Sequence, residues 1–221
     1  MINIAIDGTA GSGKSTVAKL LALKLNYKLL NTGEIYRSLA CAYNQEFHCE
    51  PNNQNIEKFL KDKVVEIKFE NFNQFVLVNR ICFKDKLRTE EISILTSKIA
   101  VFQVLRDKVL KIQRDFAKEN DCVMEGRDIG TIVLPNADVK FFITASQEER
   151  AKRRFLQIKD KNETYESVLE DLKERDFRDM NREIAPLKPA IDSIIIDNTD
   201  MTIDENVETC LKIIVEKTKI Q

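Results

Sequence analysis

The chain contains only six glycines in 221 residues, and all of them lie in three short segments. Glycine accepts a positive φ and lets the backbone approach a ligand closely, so a chain poor in glycine keeps it where such geometry is needed. The three segments are GTAGSGKST at residues 8–16, NTGEIYR at 31–37 and EGRDIG at 125–130. They are therefore the first candidates for a functional site.

The first segment matches the pattern G-x-x-x-x-G-K-[ST] and lies between a predicted strand and a predicted helix. In that order, backbone N–H groups and the positive end of the helix dipole converge on one point and can cradle a polyphosphate. Lys14 adds a positive charge, and the Ser15 hydroxyl occupies the usual position of a ligand to magnesium. The predicted triphosphate site consists of Gly8, Thr9, Ala10, Gly11, Ser12, Gly13, Lys14, Ser15 and Thr16.

Charge and composition exclude several kinds of protein. With 35 basic and 36 acidic residues the net charge is −1, which provides no field to attract nucleic acid or an anionic membrane. No apolar stretch approaches the roughly 18–20 residues needed to span a bilayer, and the first residues predict a strand and not a signal peptide. Five unpatterned cysteines indicate reduced thiols and a cytoplasmic location. The single histidine, His48, excludes Ser–His and zinc chemistry.

Strand and helix patterns alternate at both ends of the chain, which predicts an α/β fold with a parallel sheet wrapped by helices. Besides the strand before the first glycine segment, strands are predicted at 28–30, 122–124, 139–144 and 193–197. Between residues 62 and 86, three short β-rich runs separated by polar turns predict a small antiparallel meander instead. The meander therefore forms an insert within the α/β alternation.

Arginines follow the second and third glycine segments and recur near the C-terminus. Arg37 and Arg127 follow glycines, while Arg175, Asp179 and Arg182 are spaced to share one face of a helix. Phosphoryl transfer gathers several phosphates in one place, and fixed guanidinium groups can neutralise them. The alternative for the helix is a solvated face with ion pairs worth about 0.3–0.5 kcal/mol each. No N-K-x-D motif, expected of a GTPase, is present.

With these segments together, the chain resembles the bacterial cytidylate kinases of the nucleoside monophosphate kinase family. The resemblance rests on IAIDGTAGSGKST, LLNTGEIYR, LRTEEISILTSKIAVFQVLR, EGRDIGTIVLPNADVKFFITAS and KERDFRDMNREIAPL. It implies one P-loop kinase domain over 1–221 with a five-stranded parallel sheet. An acceptor region at 32–120 would contain the meander insert at about 62–86, and a short lid would lie at 157–164. The implied reaction transfers the γ-phosphoryl group of ATP, with Mg²⁺, to CMP and dCMP in a cytosolic monomer.

The resemblance also implies a role for individual residues. The CMP phosphate would contact Thr32, Arg37, Arg127 and Arg182. The cytosine would contact Ser97, Arg106 and Asp128, and the sugar and its surroundings would contact Tyr36, Arg175 and Asp179. Arg150 and Arg154, which lead into the lid, would cover ATP. The catalytic charges would be Lys14, Arg127, Arg150 and Arg182, and Ser15 would be the protein ligand of Mg²⁺.

Three points remain open in the sequence. Ser97 and Arg106 are nine residues apart, which places them on opposite faces of a straight helix, so both can face the cytosine only if the helix breaks near Phe102. Either Asp7 or Glu125 could organise magnesium-bound water. The acceptor could be AMP, shikimate or dephospho-CoA, and a non-catalytic nucleotide-binding regulator would also retain the loop.

Overall fold

The computed structural model describes residues 1–87, 89–158 and 163–220. The strands are β1 (Asn3–Gly8), β2 (Lys28–Asn31), β3 (Val65–Glu70), β4 (Asn73–Val78), β5 (Ile81–Cys82), β6 (Cys122–Glu125), β7 (Val139–Thr144) and β8 (Ile194–Asp197). The helices are α1 (Lys14–Leu25), α2 (Thr32–Glu46), α3 (Asn53–Leu60), α4 (Glu90–Ile99), α5 (Gln103–Glu119), α6 (Gln147–Gln157), α7 (Tyr165–Asn181) and α8 (Ile203–Thr218). A 3-10 turn spans Lys84–Lys86, and a π-helical turn spans Ile129–Val133.

The predicted parallel sheet is confirmed, with five strands in the order β2-β6-β1-β7-β8. Its central strands are short, and their residues are almost all buried because helices cover both faces of the sheet. Side chains alternate between the two faces. Ile4 and Ile6 pack with α1 and α8, whereas Ala5 and Met124 pack with α2 and α5.

The carboxyl ends of three neighbouring strands meet at one edge of this sheet. Glu125, at the end of β6, pairs with Ile6 of β1 on one side and with Asn31 of β2 on the other. The donor loop, residues 8–16, therefore begins beside the segments that follow β2 and β6. Ligands of parallel α/β sheets bind at such a carboxyl edge, so all three glycine segments converge where a site is expected.

The predicted meander is also confirmed as an antiparallel sheet in the order β3-β4-β5. Its first hairpin turns through Asn71 and Phe72, both with positive φ, and Val76 and Val78 on β4 are buried in the core beside α2. This packing explains why β4 alternates between buried and less buried residues. The insert thus shares the hydrophobic core that positions α2.

Two further predictions concern the helical regions. The break near Phe102 that a shared role for Ser97 and Arg106 requires is present, because α4 ends at Ile99 and α5 begins at Gln103, with Phe102 in an extended conformation. The predicted lid at 157–164 lies between α6 and α7, and its residues 159–162 lie outside the described residues. In the described part of the chain, no helix is both long and apolar enough to cross a bilayer.

Candidate active site

A single cavity brings together every residue that the resemblance assigns to the acceptor. Its walls come from α2, the α4–α5 junction, the segment after β6, and α7, and it opens onto the start of α1. The assigned residues that line it are Lys14, Ser15, Thr32, Tyr36, Arg37, Ser97, Arg106, Arg127, Asp128, Arg175, Asp179 and Arg182. The cavity is also lined by residues to which the resemblance assigns no substrate contact: Asn31, Gly33, Thr96, Ala100, Glu125 and Gly126.

The donor loop has the backbone geometry that its glycines predict. Gly8 has φ 150°, and a Cβ there would lie 1.9 Å from the carbonyl oxygen of Ile143, so no side chain fits. Gly13 precedes α1 with φ 80°, a left-handed conformation that glycine adopts without strain. The first turn of α1 therefore begins directly at Lys14, with its N–H groups directed out of the helix end.

Lys14 is buried at the donor loop, and burial of its positive charge costs free energy. Its Nζ donates to the carbonyl oxygen of Thr9 over 3.1 Å. Burial, followed by the positive charge of Arg127, lowers the pKa of Lys14 well below its usual value. Glu125 and Asp179 act in the opposite direction, and a polyphosphate bound beside Lys14 would add to their negative charge and favour the protonated amine.

The outer side of the donor loop is attached to the helices that flank the lid. The N–H of Ala10 donates to Asp176 Oδ1 over 3.2 Å, and its carbonyl accepts from Arg150 Nη1 over 2.9 Å. Arg150 also forms an ion pair with Asp176 and lies outside the cavity lining. These contacts favour an anchoring role for Ala10 and Arg150 over the direct contact with ATP that the sequence analysis expects.

The neighbouring arginines of α6 occupy different environments. Arg154 is exposed and does not line the cavity. Arg153, which the sequence analysis did not select, donates to the side-chain and backbone oxygens of Asn198 over 3.0 and 2.9 Å. Asn198 in turn donates to the carbonyl of Ser12 over 2.8 Å. Arg153 is therefore the arginine of this pair that contacts the donor loop through a hydrogen-bonded chain.

The proposed cytosine-contacting residues come together because α4 and α5 are separate helices. Arg106 forms a buried ion pair with Asp128 and donates to the carbonyl of Ala100 over 3.2 Å, within the break between the helices. Ser97 lies on the last turn of α4 and faces the same cavity. The site thus offers a hydroxyl, a guanidinium and a carboxylate close together, a set that can pair with donors and acceptors on one edge of a base.

Asp7 fixes the segment that carries Asp128. Its two carboxylate oxygens accept from the N–H groups of Ile129 and Gly130 over 2.8 and 2.7 Å, at the start of the π-helical turn. Burial raises the pKa of Asp7 to about 6, although both backbone hydrogen bonds act in the opposite direction. Both carboxylate oxygens of Asp7 therefore hold the backbone of the segment that follows Asp128.

The phosphate-facing side of the cavity concentrates positive charge. Arg127 pairs with Asp179 over 2.8 Å, and its charge keeps the pKa of Asp179 below the usual value against the opposing effect of burial. Burial, then the charges of Arg127 and Arg37, lowers the pKa of Arg175 to about 10. The cations therefore repel one another across the cavity, and an anion bound between them would relieve that repulsion.

Similarity to known proteins points to the same family as this geometry does. The family model described as "Cytidylate kinase" matches residues 4–216. The chain belongs to the cytidylate kinase family.

Two curated relatives illustrate how far this similarity to the cytidylate kinase family extends. The chain is 47% identical over 219 residues to a cytidylate kinase of Thermosipho melanesiensis, with 98% of each chain covered. It is 42% identical over 217 residues to a cytidylate kinase of Caldicellulosiruptor saccharolyticus, covering 96% of this chain and 95% of the relative. The fold is also similar to the crystal structure of an uncharacterized protein from Eubacterium ventriosum, with a TM-score of 0.52, 17% identity, and coverage of 97% and 98%.

The structure distinguishes the two acidic residues that the sequence left open for magnesium. Both oxygens of Asp7 are occupied by backbone N–H groups. Glu125 accepts from the Ser15 hydroxyl over 2.6 Å through Oε2, while its buried Oε1 has no hydrogen-bond partner within the described residues. A carboxylate oxygen without a partner beside a serine hydroxyl suits a hydrated Mg²⁺, which prefers oxygen ligands and retains several waters.

Proposed function

We propose that the chain is a cytidylate kinase that transfers the γ-phosphoryl group of ATP to CMP and dCMP, acting as a monomer in the cytoplasm. The observation that carries this proposal is the single cavity in which Lys14 and four arginines face a hydroxyl–guanidinium–carboxylate set. A site for one polyphosphate alone would not require that second, base-sized set of polar groups. The arrangement supports a site for two nucleotides.

In the proposed reaction, an oxygen of the CMP phosphate attacks the γ-phosphorus of ATP. A new P–O bond forms as the bond from the γ-phosphorus to its bridging oxygen breaks, which leaves ADP and CDP. The attacking oxygen is already anionic, so no general base is required, and the protein acts by positioning and neutralising charge. Lys14 and the amides of the donor loop stabilise the donor phosphates, while Arg127 and Arg182 hold the acceptor phosphate.

Mg²⁺ fits the pair formed by Ser15 and Glu125. The Ser15 hydroxyl would be a direct ligand, and Glu125 would accept hydrogen bonds from water on the ion. When bound, the ion supplies positive charge to the phosphate oxygens that become more negative during transfer. Glu125 holds the Ser15 side chain in place even without the ion, through their 2.6 Å hydrogen bond.

Base selection follows from the polarity of Asp128, Arg106 and Ser97. The Asp128 carboxylate accepts hydrogen bonds and suits the N4 amino group of cytosine, whereas Arg106 and Ser97 can donate to N3 and O2. Uracil presents an oxygen at position 4 and a hydrogen on N3. The Asp128 carboxylate would then meet an acceptor at position 4, and the group that donates to N3 would meet a donor. Buried polar groups left unpaired in this way can reject an analogue by orders of magnitude.

A coupled assay of ADP release tests the proposal against the alternatives. We expect rapid turnover with CMP and dCMP, with kcat/KM for UMP and AMP lower by at least about 100-fold and no turnover with shikimate. Preference for a different acceptor would overturn the roles of Ser97, Arg106 and Asp128 while leaving the donor site intact. ATP binding without turnover of any acceptor would support a nucleotide-binding regulator.

Glu125→Gln tests the magnesium assignment. We expect the free Mg²⁺ concentration for half-maximal rate to rise about tenfold, because an amide attracts magnesium-bound water less strongly than a carboxylate. Rates measured at saturating nucleotides across a Mg²⁺ titration, together with Mn²⁺ binding to the ATP complex by electron paramagnetic resonance, provide two readouts. Glu119→Gln, on the exposed end of α5, is the matched control. Unchanged Mg²⁺ and Mn²⁺ dependence in Glu125→Gln would contradict the assignment.

A further inference from the structure

An ion pair between Arg150 and Asp176 binds both the backbone N–H and the backbone carbonyl of Ala10. Asp176 Oδ1 accepts from the Ala10 N–H over 3.2 Å, and Asp176 Oδ2 lies 2.5 Å from Arg150 Nη1. The same Nη1 donates to the Ala10 carbonyl over 2.9 Å, and Arg150 Nε donates to the carbonyl of Ala145 over 2.9 Å. One carboxylate and one guanidinium thus bind both polar groups of a single donor-loop residue.

This contact is buried and comes from residues far apart in the chain. Arg150 is 3% exposed and Asp176 is 4% exposed, and they lie on α6 and α7, on either side of the predicted lid. Around them, Ala10 packs with Ala151, Val168 and Leu172 in a small apolar cluster. A Cβ on Gly11 would lie 3.2 Å from the carbonyl oxygen of Arg150, so the loop lies directly against α6.

We infer that Arg150 and Asp176 are positioning residues that hold the donor loop in the conformation competent to bind ATP. Because the N–H and the carbonyl of Ala10 are both bonded to this pair, the amides from Gly11 to the start of α1 are left to face the phosphates. Arg150 acts through the donor loop in this assignment, since its Nε and Nη1 are bonded to Ala145, Ala10 and Asp176. The contact between α6 and α7 is thereby coupled to the affinity of the donor site.

The pair also connects the donor loop with the acceptor side of the cavity. Asp176 immediately follows Arg175 on α7 and precedes Asp179 by about one helical turn. Both neighbours line the acceptor cavity, whereas Asp176 points to the donor loop. A single helix therefore positions groups for both substrates. This inference rests on the proposed use of ATP as donor.

Asp176→Asn is the first test, because it leaves Arg150 in place and retains an oxygen that can accept from Ala10. We expect the Kd for ATP, measured by calorimetry without acceptor, to rise about tenfold, with the Kd for CMP changed less than twofold. Exchange of the Ala10 amide with solvent, followed by nuclear magnetic resonance, should accelerate. Glu174→Gln, exposed on the same helix, is the matched control and should leave all three quantities unchanged.

A charge-free double variant, Arg150→Met with Asp176→Leu, separates positioning from simple loss of stability. Removing both charges leaves no buried charge unpaired, and such replacements are often neutral for folding. We expect this variant to fold and to bind ATP at least tenfold more weakly, with its affinity for CMP retained. If ATP affinity remains within twofold of wild type in both Asp176→Asn and the folded double variant, the positioning role is wrong.

Direct contact of Arg150 with ATP predicts a different pattern. In that case Arg150→Met would weaken ATP binding while Asp176→Asn would not, and this result would also overturn the inference. These outcomes are distinct from failure of the proposed function. A wild-type protein that binds ATP but turns over no acceptor would refute the kinase assignment and leave the measurements of Ala10 exchange and ATP affinity interpretable.

Discussion

Lys14→Met is expected to lower kcat by about 100- to 1,000-fold and at the same time to raise the free energy of unfolding. The loss of rate follows because Lys14 lies at the donor loop and lines the cavity where phosphate charge would develop. The gain in stability follows because burial and the nearby charge of Arg127 lower the pKa of Lys14, so its positive charge opposes folding. Methionine fills similar space without that charge.

The stability effect has a defined dependence on pH. The pKa of Lys14 is lower in the folded state than in the unfolded chain, so folding is penalised wherever the unfolded chain carries the proton. That penalty is present near neutral pH and decreases as the pH approaches the ordinary lysine pKa of about 10.4. We therefore expect Lys14→Met to raise Tm by a few degrees at pH 7 and by less at pH 10.

Lys19→Met provides the matched control for this experiment. Lys19 is on the exposed face of the same helix, α1, so its replacement should alter neither kcat nor Tm appreciably. Steady-state kinetics and scanning calorimetry of both variants at the two pH values suffice. If Lys14→Met kept more than a tenth of wild-type kcat, or melted at a lower temperature than wild type at pH 7, this account of Lys14 would be wrong.

The sequence predicted those features in which residue type alone restricts the local backbone. The donor loop followed from its glycines between a strand and a helix, and the meander followed from short β-rich runs separated by polar turns. Helix geometry required either a break near Phe102 or a different role for Ser97 or Arg106, and the structure has the break. Each of these inferences required only neighbouring residues.

The features that the sequence left undecided depend on partners distant in the chain. Arg150 and Arg154 look alike in the segment EERAKRRF, yet one is buried against Ala10 and Asp176 while the other is exposed. Asp7 and Glu125 were equivalent as acidic residues until the fold showed which oxygens were already occupied. Helical periodicity identifies a face, but burial and long-range hydrogen bonds decide the role of a charged residue on it.

Arg182→Met is expected to lower kcat/KM for CMP by about 100-fold or more while changing the Kd for ATP less than twofold. Arg182 follows the last residue of α7, and its Nε donates to the carbonyl of Ala185 over 2.5 Å. Its Nη2 is buried without a hydrogen-bond partner in the part of the chain that the structure describes, although it lies 3.6 Å from Asp128 Oδ1. Burial lowers the pKa of Arg182, so this guanidinium is kept in the cavity at an energetic cost.

Arg182 Nη2 is thus a buried donor without a hydrogen bond among the described residues, and Arg182 lines a cavity that also contains other arginines and the cytosine-contacting residues. An anionic acceptor best explains this arrangement. A charge-assisted hydrogen bond to a phosphate contributes about 1.5–3 kcal/mol, and the benefit should increase as charge develops during transfer. Arg178→Met, exposed on the same helix, is the matched control and should leave kcat/KM for CMP unchanged. Weakened ATP binding with normal CMP affinity in Arg182→Met would instead place this arginine on the donor side and would leave the acceptor phosphate to Thr32, Arg37 and Arg127.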